Sequence, residues 1–427
     1  MASDKRFYGK IPEMNEVYKE KFRNCAMILP GHRIGFGDIE IEGERISRII
    51  ERPCRPDRLA MPGLVNCHGH TAMTLLRGLG GGLPLQRWLE EAIFPAEAKM
   101  TRKDVEAGVR WGVMEMLAGG TTAVADMYDF PDICESVLSE AGMTGFVCRV
   151  GLSFIPGRLK ECIDFAAARP DRHLSVHSEY LTDEAFCRAL AEANRELKRP
   201  VHLHVSETQK EHFECIKRHG ATPIEYLSKT GLLDFGGYAA HCVYCTDDDF
   251  GIMRDFGVSL VHNPTSNLKL GSGIARISNA LECGVNVALG TDGCASNDNL
   301  NMFEEMHLCS LIHKGVARDP LMLSPWDVID MATVCGAKAL GMMDGGELRE
   351  GFRADLALID LNRPHLQPCS DISSLVVHSM QSSDVMLTLC NGKVVYDRDA
   401  PIGGRYPSIN EEKAAAEFAA AVERVAR

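Results

Sequence analysis

Residues 63–70 read Gly63-Leu64-Val65-Asn66-Cys67-His68-Gly69-His70, an apolar run that ends in two histidines two residues apart. Side chains alternate across a β-strand, so His68 and His70 are expected on the same side of a strand that ends here. Two imidazoles on one side of a strand end can bind a single metal ion. An H-x-H pair is weak evidence by itself, and its weight depends on where this strand lies in the fold.

Similar short apolar runs alternate with longer helix-like segments from about Leu59 to Gly341. This alternation is typical of βα units around a parallel sheet. The candidate strands are Leu64–Cys67, Thr122–Asp126, Val147–Leu152, His173–His177, Val201–Val205, Tyr238–His241, Val258–His262 and Val285–Gly290. Eight such strands predict an α/β fold with a closed (β/α)8 TIM barrel. The histidine pair then stands at the C-terminal end of the first barrel strand, where barrel enzymes hold their active sites.

The two ends of the chain differ from its centre. Ile39–Ile50 reads as strand, turn and strand, and Ala354–Tyr396 contains further strand-like runs. We therefore predict that both ends pair into one small discontinuous β-sandwich domain. The predicted boundaries are 1–58 for its N-terminal part, 59–347 for the barrel, and 348–427 for its C-terminal part with a terminal helix at Glu411–Val425. Residues Met1–Phe22 are of uncertain order.

A second histidine pair ends the fifth candidate strand. His202 and His204 are both expected to point into the barrel, because they are two residues apart. His202 lies one layer deeper, where a hydrogen-bonded core histidine is the alternative, so we assign the metal ligand to His204. Glu207 follows three residues later, and a carboxylate beside a metal site is suited to proton transfer. The alternative role of Glu207 is that of a carboxylate at the start of a helix, where the helix dipole favours a negative charge.

The eighth candidate strand ends in Gly290-Thr291-Asp292-Gly293, which places one carboxylate between small residues. In isolation, an Asp at a strand end is usually a turn or cap residue. Three histidines from two other strand ends change that interpretation, because chance rarely produces the combination. The sequence therefore predicts that Asp292 completes a metal site with these histidines.

The composition argues against several classes of function. The 427 residues carry a formal net charge of −13, which repels nucleic-acid phosphates, and no long Lys/Arg run offsets it. The N-terminus is polar and no run of eighteen apolar residues is present, so neither secretion nor membrane insertion is predicted. The sixteen cysteines lack repeated C-x-x-C spacing, which favours reduced thiols and a cytoplasmic location over a disulfide scaffold.

Five motifs together carry a resemblance to a known family. They are Met61–His70, His204-x-x-Glu207, Tyr238–Cys242, His262–Leu270 and Gly290–Gly293. This set resembles the amidohydrolase superfamily and, within it, the 5-methylthioadenosine/S-adenosylhomocysteine deaminase branch, which is related to the triazine chlorohydrolase and guanine deaminase group. The resemblance covers about Ile39 to Tyr396 and implies a (β/α)8 barrel with a flanking β-sandwich.

The resemblance also implies roles for the residues at the strand ends. The implied ligands of one divalent metal are His68, His70, His204 and Asp292, with Zn²⁺ expected and Fe²⁺ as the alternative. His241 would orient the attacking oxygen, Asp292 would accept its proton, and Glu207 would relay protons to the substrate ring. His177 stands at the end of the fourth strand, where a binuclear relative would place a metal-bridging Lys, so one metal ion is the consistent count.

The implied reaction is the hydrolytic deamination of an adenosine-type nucleoside to its inosine analogue and ammonia. The implied substrates are 5'-methylthioadenosine, S-adenosylhomocysteine, 5'-deoxyadenosine or adenosine, and a homo-oligomer is expected. Trp88 and Glu97 match positions that close over the nucleoside and hold its ribose hydroxyls, and His177 matches a residue that faces the purine. Arg149 and Arg158 are both candidates for binding a substrate carboxylate.

Two features depart from the family pattern. His177-Ser178-Glu179-Tyr180 stands where a His, small residues and Pro-Tyr are usual, and Glu179 would alter the charge of the pocket if it points inward. Cys294 replaces a commonly small, unreactive residue after the turn at Gly293. The preferred 5'-substituent is therefore left open.

Two other functions are alternatives. The metal ligands alone fit a deaminase or chlorohydrolase of a free purine, pterin or triazine base, because the pocket and not the fold sets the substrate. Trp88 and Glu97 favour a nucleoside, since a free base needs no ribose-binding carboxylate, although a packed Trp and a surface Glu would explain them too. A non-catalytic scaffold with the same fold is the remote alternative, and the complete set of ligands argues against it.

Overall fold

The structure, a computed structural model, describes residues 19–426. Its strands are β1 (Lys19–Leu29), β2 (Arg33–Glu42), β3 (Arg45–Glu51), β4 (Arg58–Pro62), β5 (Leu64–Gly69), β6 (Thr121–Tyr128), β7 (Thr144–Arg149), β8 (Leu174–Val176), β9 (Val201–Val205), β10 (Gly237–His241), β11 (Val258–His262), β12 (Val287–Leu289), β13 (Leu356–Asp360), β14 (Val385–Cys390) and β15 (Lys393–Asp397).

The helices connect these strands and cover the parallel ones. They are α1 (Leu85–Trp88), α2 (Phe94–Glu97), α3 (Arg102–Ala118), α4 (Pro131–Ala141), α5 (Arg158–Ala167), α6 (Glu184–Leu197), α7 (Gln209–His219), α8 (Pro223–Lys229), α9 (Asp247–Asp255), α10 (Pro264–Lys269), α11 (Ile277–Glu282), α12 (Cys294–Asn297), α13 (Met302–Ala317), α14 (Pro325–Ala332), α15 (Val334–Ala339), α16 (Ile372–His378) and α17 (Glu411–Ala426). Short 3-10 helices occur at Thr71–Leu76, Pro364–Leu366 and Ser382–Asp384, and a π-helical turn occurs at Leu89–Ile93.

Strands β5 to β12 form the predicted barrel. The order β5-β6-β7 makes one parallel sheet and β8 to β12 make another. Two backbone hydrogen bonds join them at the mouth: His177 N–H donates to Gly151 O at 3.0 Å, and Asp292 N–H donates to His68 O at 2.9 Å. The eight candidate strands coincide with β5 to β12 within three residues at each end, and β9 and β11 match them fully. The (β/α)8 prediction is confirmed.

The barrel strands are apolar because helices and the barrel interior cover both of their faces. All residues of β9 and β11 are buried. The side chains of Val65, Tyr238, Val261 and Ala288, from β5, β10, β11 and β12, pack into one cluster inside the barrel. This packing fixes which residues of each strand point inward, and so sets the direction of the polar side chains that follow them.

The two ends of the chain meet in one seven-stranded sheet, in the order β15-β14-β13-β4-β1-β2-β3. Ile46 from β3 shares a hydrophobic core with Leu356 and Leu389 from β13 and β14, although these strands are far apart in the sheet order. The sheet therefore curls over on itself, as expected of a sandwich built from both ends. Strand β4 crosses the boundary predicted at residues 58 and 59, and the domain limits stay a prediction.

Strand β1 is the main element that the sequence analysis did not identify. It includes Lys19–Phe22, a stretch that we expected to be of uncertain order; the rest of that stretch lies outside the described residues. The pairing of β1 with β2 is interrupted between Phe22 and Cys25, and Asn24 takes a left-handed conformation with φ of 56°. This bulge breaks the alternation of side chains by which a strand is recognised in a sequence.

The predicted terminal helix is confirmed as α17, which packs against α3 on the outside of the barrel. Arg424 donates from Nε to Oδ1 of Asp104 at 2.8 Å, and the rings of Trp111 and Phe418 stack. None of the helices within residues 19–426 is long and apolar enough to cross a bilayer.

Candidate active site

Four side chains from three strand ends converge at the mouth of the barrel. His68 lies near the end of β5, and His70 follows this strand directly. His204 lies in β9, and Asp292 follows β12. Oδ1 of Asp292 lies 3.3 Å from Nε2 of both His68 and His70, and Nε2 of His70 lies 3.2 Å from Nε2 of His204. Four ligand atoms at this mutual spacing fit around one metal ion.

The second nitrogen of each of these histidines has a hydrogen-bond partner. Nδ1 of His70 lies 2.7 Å from Met127 O, and Nδ1 of His204 lies 2.7 Å from His177 O. Nδ1 of His68 lies 2.7 Å from Nε2 of His202. Partners at Nδ1 fix each ring and direct Nε2 to the common point, the usual arrangement of metal-binding histidines. His202 is thus a hydrogen-bonded core histidine.

The surroundings of Nε2 of His68 show whether these residues fit a metal ion. It is buried and has no hydrogen-bond partner among the described residues. A buried polar atom without a partner is costly, and a metal ion at this point would remove the cost. Burial also lowers the pKa of His68 to about 4, which keeps the imidazole neutral as ligation requires. The residues present therefore fit a divalent cation.

Asp292 is held in an unusual backbone conformation. Its φ is 63°, in the left-handed region, and such strain is concentrated at functional sites. Ser266 and Ser296 donate from Oγ to Oδ2 of Asp292 at 2.6 and 2.9 Å. Burial alone would raise the pKa of Asp292, but the close approach of the His68 imidazole, at 3.3 Å, holds it well below its usual range. Asp292 is thus an anion with a fixed orientation.

His241 ends β10 on the opposite side of the site. Its φ is 73°, and its Nδ1 lies 2.8 Å from Oδ1 of Asn267. Its Nε2 lies 3.9 Å from Oε2 of Glu207 and 3.9 Å from Oδ2 of Asp292. Burial would lower the pKa of His241, but these two carboxylates raise it above its usual value. His241 is therefore placed to donate a hydrogen bond to an oxygen between the two carboxylates.

Glu207 follows β9 and lies almost completely buried beside His241. Burial raises the pKa of its carboxyl group, and Ser272 donates from Oγ to Oε1 at 3.3 Å. The Glu211 carboxylate accepts hydrogen bonds from the backbone N–H groups of Ser206 and Glu207 at 2.7 and 2.8 Å. These bonds hold the turn that presents Glu207, which can both accept and release a proton.

A cavity of about 610 Å³ opens next to these residues. Its wall includes five of the six residues described above, namely His70, His204, Glu207, His241 and Asp292, and the predicted substrate residues Trp88, Glu97 and His177 also line it. Nε1 of Trp88 donates to Leu79 O at 3.0 Å, and Oε1 of Glu97 accepts from the Tyr128 hydroxyl at 2.8 Å. Burial raises the pKa of Glu97 to about 7. Trp88 and Glu97 are thus part of the cavity and not of the outer surface.

The structure does not bring Arg149 and Arg158 to the cavity wall. Neither is among the described residues that line it. Nη1 of Arg158 donates to Oδ1 of Asp129 at 2.6 Å, and Nη2 of Arg149 donates to Oε2 of Glu161 at 2.6 Å. Both guanidinium groups are therefore already paired with carboxylates, Arg158 with the wall residue Asp129 and Arg149 with Glu161, and their role in binding a substrate carboxylate stays a prediction.

Glu179 and Cys294 are buried away from the cavity. The Glu179 carboxylate accepts a hydrogen bond from Arg218 of α7 and lies 3.7 Å from Nε2 of His219. Cys294 begins α12, and burial raises the pKa of its thiol above the usual range. Neither residue is among the described residues of the cavity wall, so Glu179 does not add a charge to it.

Several supporting residues escaped the sequence analysis. They are Glu211, Ser266, Asn267, Ser272 and Ser296, which position Glu207, Asp292 and His241. Ser266, Asn267 and Ser272 lie in or directly after the motif His262–Leu270, so the motif itself pointed to this region. Glu211 carried no signal beyond a helix-start carboxylate, because its partners are backbone N–H groups that a sequence does not display.

The chain is similar to known proteins both in sequence and in structure. A family model described as "Amidohydrolase family" matches residues 59–395. A 5-methylthioadenosine/S-adenosylhomocysteine deaminase from Acetivibrio thermocellus is 44% identical over 367 residues, which cover 83% of this chain and 84% of the relative. A 5'-deoxyadenosine deaminase from Methanothermobacter thermautotrophicus is 38% identical over 418 residues, which cover 92% of this chain and 96% of the relative.

Solved structures give the same picture of the fold. An adenosine deaminase from Xanthomonas campestris with bound zinc superimposes with a TM-score of 0.89 and 29% identity, over 95% of this chain and 98% of the other. An atrazine chlorohydrolase from Arthrobacter aurescens complexed with zinc superimposes with a TM-score of 0.85 and 22% identity, over 94% of this chain and 99% of the other. At that identity, the second similarity shows the fold alone.

Proposed function

This chain belongs to the amidohydrolase family, and from that premise we propose that it is a metal-dependent hydrolytic deaminase of adenosine-type nucleosides. The observation that carries the proposal is the buried Nε2 of His68, which has no hydrogen-bond partner among the described residues and lies beside Asp292; Asp292 in turn lines a cavity together with Glu97 and Glu207. The names of the relatives, which are deaminases of 5'-substituted adenosines, support the choice of substrate.

The proposed metal site consists of His68, His70, His204 and Asp292, with one Zn²⁺ per chain at this centre and Fe²⁺ as the alternative. A divalent cation held by these four residues would lower the pKa of a water molecule from about 15.7 to about 7 and would so supply hydroxide at neutral pH. Asp292 accepts the proton that this water loses, because its carboxylate is ionised and fixed by two serines. His241 donates a hydrogen bond that holds the attacking oxygen in line with the substrate ring.

Glu207 moves the remaining protons. Attack at C6 of the adenine ring places an electron pair on N1, and Glu207 protonates N1 as the tetrahedral centre forms. Glu207 then takes the proton of the C6 hydroxyl and passes it to the exocyclic nitrogen, and the bond from C6 to this nitrogen breaks so that it leaves as ammonia. The proton that Asp292 accepted restores the protonated Glu207. The raised pKa of Glu207 suits both steps, because the carboxyl group holds a proton more readily than an exposed one.

The substrate class is tested by measuring ammonia release and the ultraviolet change on deamination. We expect turnover of adenosine, 5'-deoxyadenosine, 5'-methylthioadenosine or S-adenosylhomocysteine, and little turnover of guanine, pterins or triazines. The reason is that Trp88 and Glu97 line the cavity where a ribose would lie, and a free base makes no use of them. Turnover confined to free bases would replace this proposal with the free-base alternative.

The cavity wall also predicts a preference among nucleosides. The loop after β7 lines the cavity with Leu152, Phe154 and Ile155, and none of the described lining residues is Lys or Arg. A carboxylate buried there would lack a partner, which costs about 1–3 kcal/mol or more. We expect kcat/KM for 5'-methylthioadenosine to exceed that for S-adenosylhomocysteine by about tenfold or more. Equal values would mean that Arg149 or Arg158 turns inward when substrate binds.

Glu97 provides a test of ribose binding. The substitution Glu97→Gln removes the acceptor charge that holds ribose hydroxyls, and hydrogen bonds to charged groups contribute about 1.5–3 kcal/mol. We expect kcat/KM for nucleosides to fall about 10- to 100-fold, mostly through KM. Glu91→Gln is the matched control, since Glu91 lies in the same segment but is exposed and paired with Arg87. An unchanged KM in the Glu97 variant would contradict the assignment.

The expectations of a cytoplasmic enzyme and of a homo-oligomer remain proposals. All sixteen cysteines are free thiols, and most of them are buried, which supports a reducing compartment. Light scattering of the purified protein decides the oligomeric state.

A further inference from the structure

A second cluster of metal-binding side chains lies outside the cavity. It consists of His262 at the end of β11 and of Cys309 and His313 on α13. One ligand atom from each of these residues lies within 4.8 Å of the other two. None of the three is among the described residues of the cavity wall, so the cluster is separate from the active site.

Regular secondary structure brings the three residues together. Cys309 and His313 are four residues apart on α13 and lie one above the other on the same helix face. Val261 packs inside the barrel, so its neighbour His262 points to the other side of β11, toward the outer helices. Nε2 of His313 lies 3.3 Å from Nε2 of His262 as a result.

The geometry and the chemistry of the cluster match Zn²⁺. Two nitrogen ligands at about 2.0–2.1 Å from a tetrahedral Zn²⁺ are separated by about 3.3–3.4 Å. One thiolate and two imidazoles are ligands that Zn²⁺ prefers. The side chains of His262, Cys309 and His313 are all buried, as expected of a structural site that is closed to solvent.

Burial also sets the protonation of these residues. It lowers the pKa of His313 to about 4 and that of His262 well below the usual value, so both imidazoles are neutral. It raises the pKa of the Cys309 thiol to about 12. A cation is therefore required to hold a thiolate at this position, whereas the two imidazoles are already in the form that binds metal.

We propose that His262, Cys309 and His313 form a second, structural metal site that binds Zn²⁺. The bound ion would tie β11 to α13. Helix α10 follows β11 directly and contains Ser266 and Asn267, which orient Asp292 and His241. The second site therefore braces the segment that supports the active site, and it raises the expected metal content from one to two ions per chain.

Cobalt substitution distinguishes the two sites. The proposed catalytic ligands contain no sulfur, so a thiolate-to-Co²⁺ charge-transfer absorption reports on Cys309 alone. When the metal-free full-length chain is loaded with Co²⁺, we expect two ions per chain and this absorption band. The variant Cys309→Ala should bind one ion and lack the band. Cys187→Ala, which removes an equally buried helical thiol on α6, should keep both.

Two outcomes would overturn the proposal. One is a wild-type protein that binds a single Co²⁺ without the band, which would leave His262 and His313 as a simple hydrogen-bonded pair. The other is a band that persists in Cys309→Ala, which would assign the thiolate elsewhere. If Cys309→Ala fails to fold, the Co²⁺ content and the absorption of the wild-type protein still test the proposal. His313→Gln provides a second variant, which should also lose one ion. None of these readouts depends on the proposed deaminase activity.

Discussion

Replacing Glu207 with Gln is expected to reduce kcat by about 10²- to 10⁴-fold while the metal content stays unchanged. The amide occupies the same volume but cannot transfer a proton to N1 or to the leaving amine. The proposed metal ligands are unchanged, because Glu207 is not one of the four converging residues; its carboxylate lies 3.9 Å from Nε2 of His241 instead. Steady-state kinetics with 5'-methylthioadenosine and metal analysis of the same sample provide the measurement.

The control for this experiment is Glu214→Gln. Glu214 lies on α7, seven residues after Glu207, and its carboxylate is exposed and pairs with Arg218. Loss of this exposed ion pair should change kcat by less than about twofold. Exposed pairs contribute only about 0–1 kcal/mol to stability, and neither Glu214 nor Arg218 is among the described residues of the cavity wall. Near-normal turnover in the Glu207 variant would remove Glu207 from the mechanism, and loss of metal there would instead make it a ligand.

Replacing Asp292 with Asn is expected to remove one metal ion per chain and to lower kcat/KM by about 10³-fold or more. The cation contributes several kcal/mol of transition-state stabilisation, and about 1.4 kcal/mol corresponds to each tenfold change. Asn tolerates the left-handed conformation at φ of 63°, so the backbone should persist and the effect should come from the lost charge.

Asp298→Asn is the matched control for this second substitution. Asp298 also has a positive φ, at 74°, but its exposed carboxylate pairs with Lys269 away from the ligands. The Asp298→Asn variant should retain its metal content and its turnover. If Asp292→Asn kept full metal content and activity, the ligand set proposed for the active site would be wrong. If it lost two ions, the two proposed metal sites would not be independent.

The sequence alone was sufficient to predict the barrel. Val201–Val205 and Val258–His262 are continuous apolar runs of the length of a strand, and they occur as β9 and β11 with the predicted bounds. The period of two along a strand then placed His68 with His70, and His202 with His204. These predictions succeeded because a buried strand is defined by neighbouring residues in the chain, and its side-chain direction follows from local geometry.

Partners that are distant in the chain were decided only by the tertiary structure. The sequence could not show that His202 supports His68, that Asn267 supports His241, or that the Glu211 carboxylate binds backbone N–H groups. It also could not show whether Glu179 and the two candidate arginines face the cavity. Their side chains are long and flexible, and the carboxylates and guanidinium groups that they meet lie on other elements.

The same division holds for the metal chemistry of the molecule. The convergence of His68, His70, His204 and Asp292 at the barrel mouth could be predicted, because strand ends of a closed barrel converge by topology. The cluster of His262, Cys309 and His313 could not be predicted. It depends on the contact between α13 and the end of β11, which lie about fifty residues apart in the sequence. Local periodicity determines which residues form a strand or a helix face, whereas the contact between two such faces is set by the closed packing of the whole barrel.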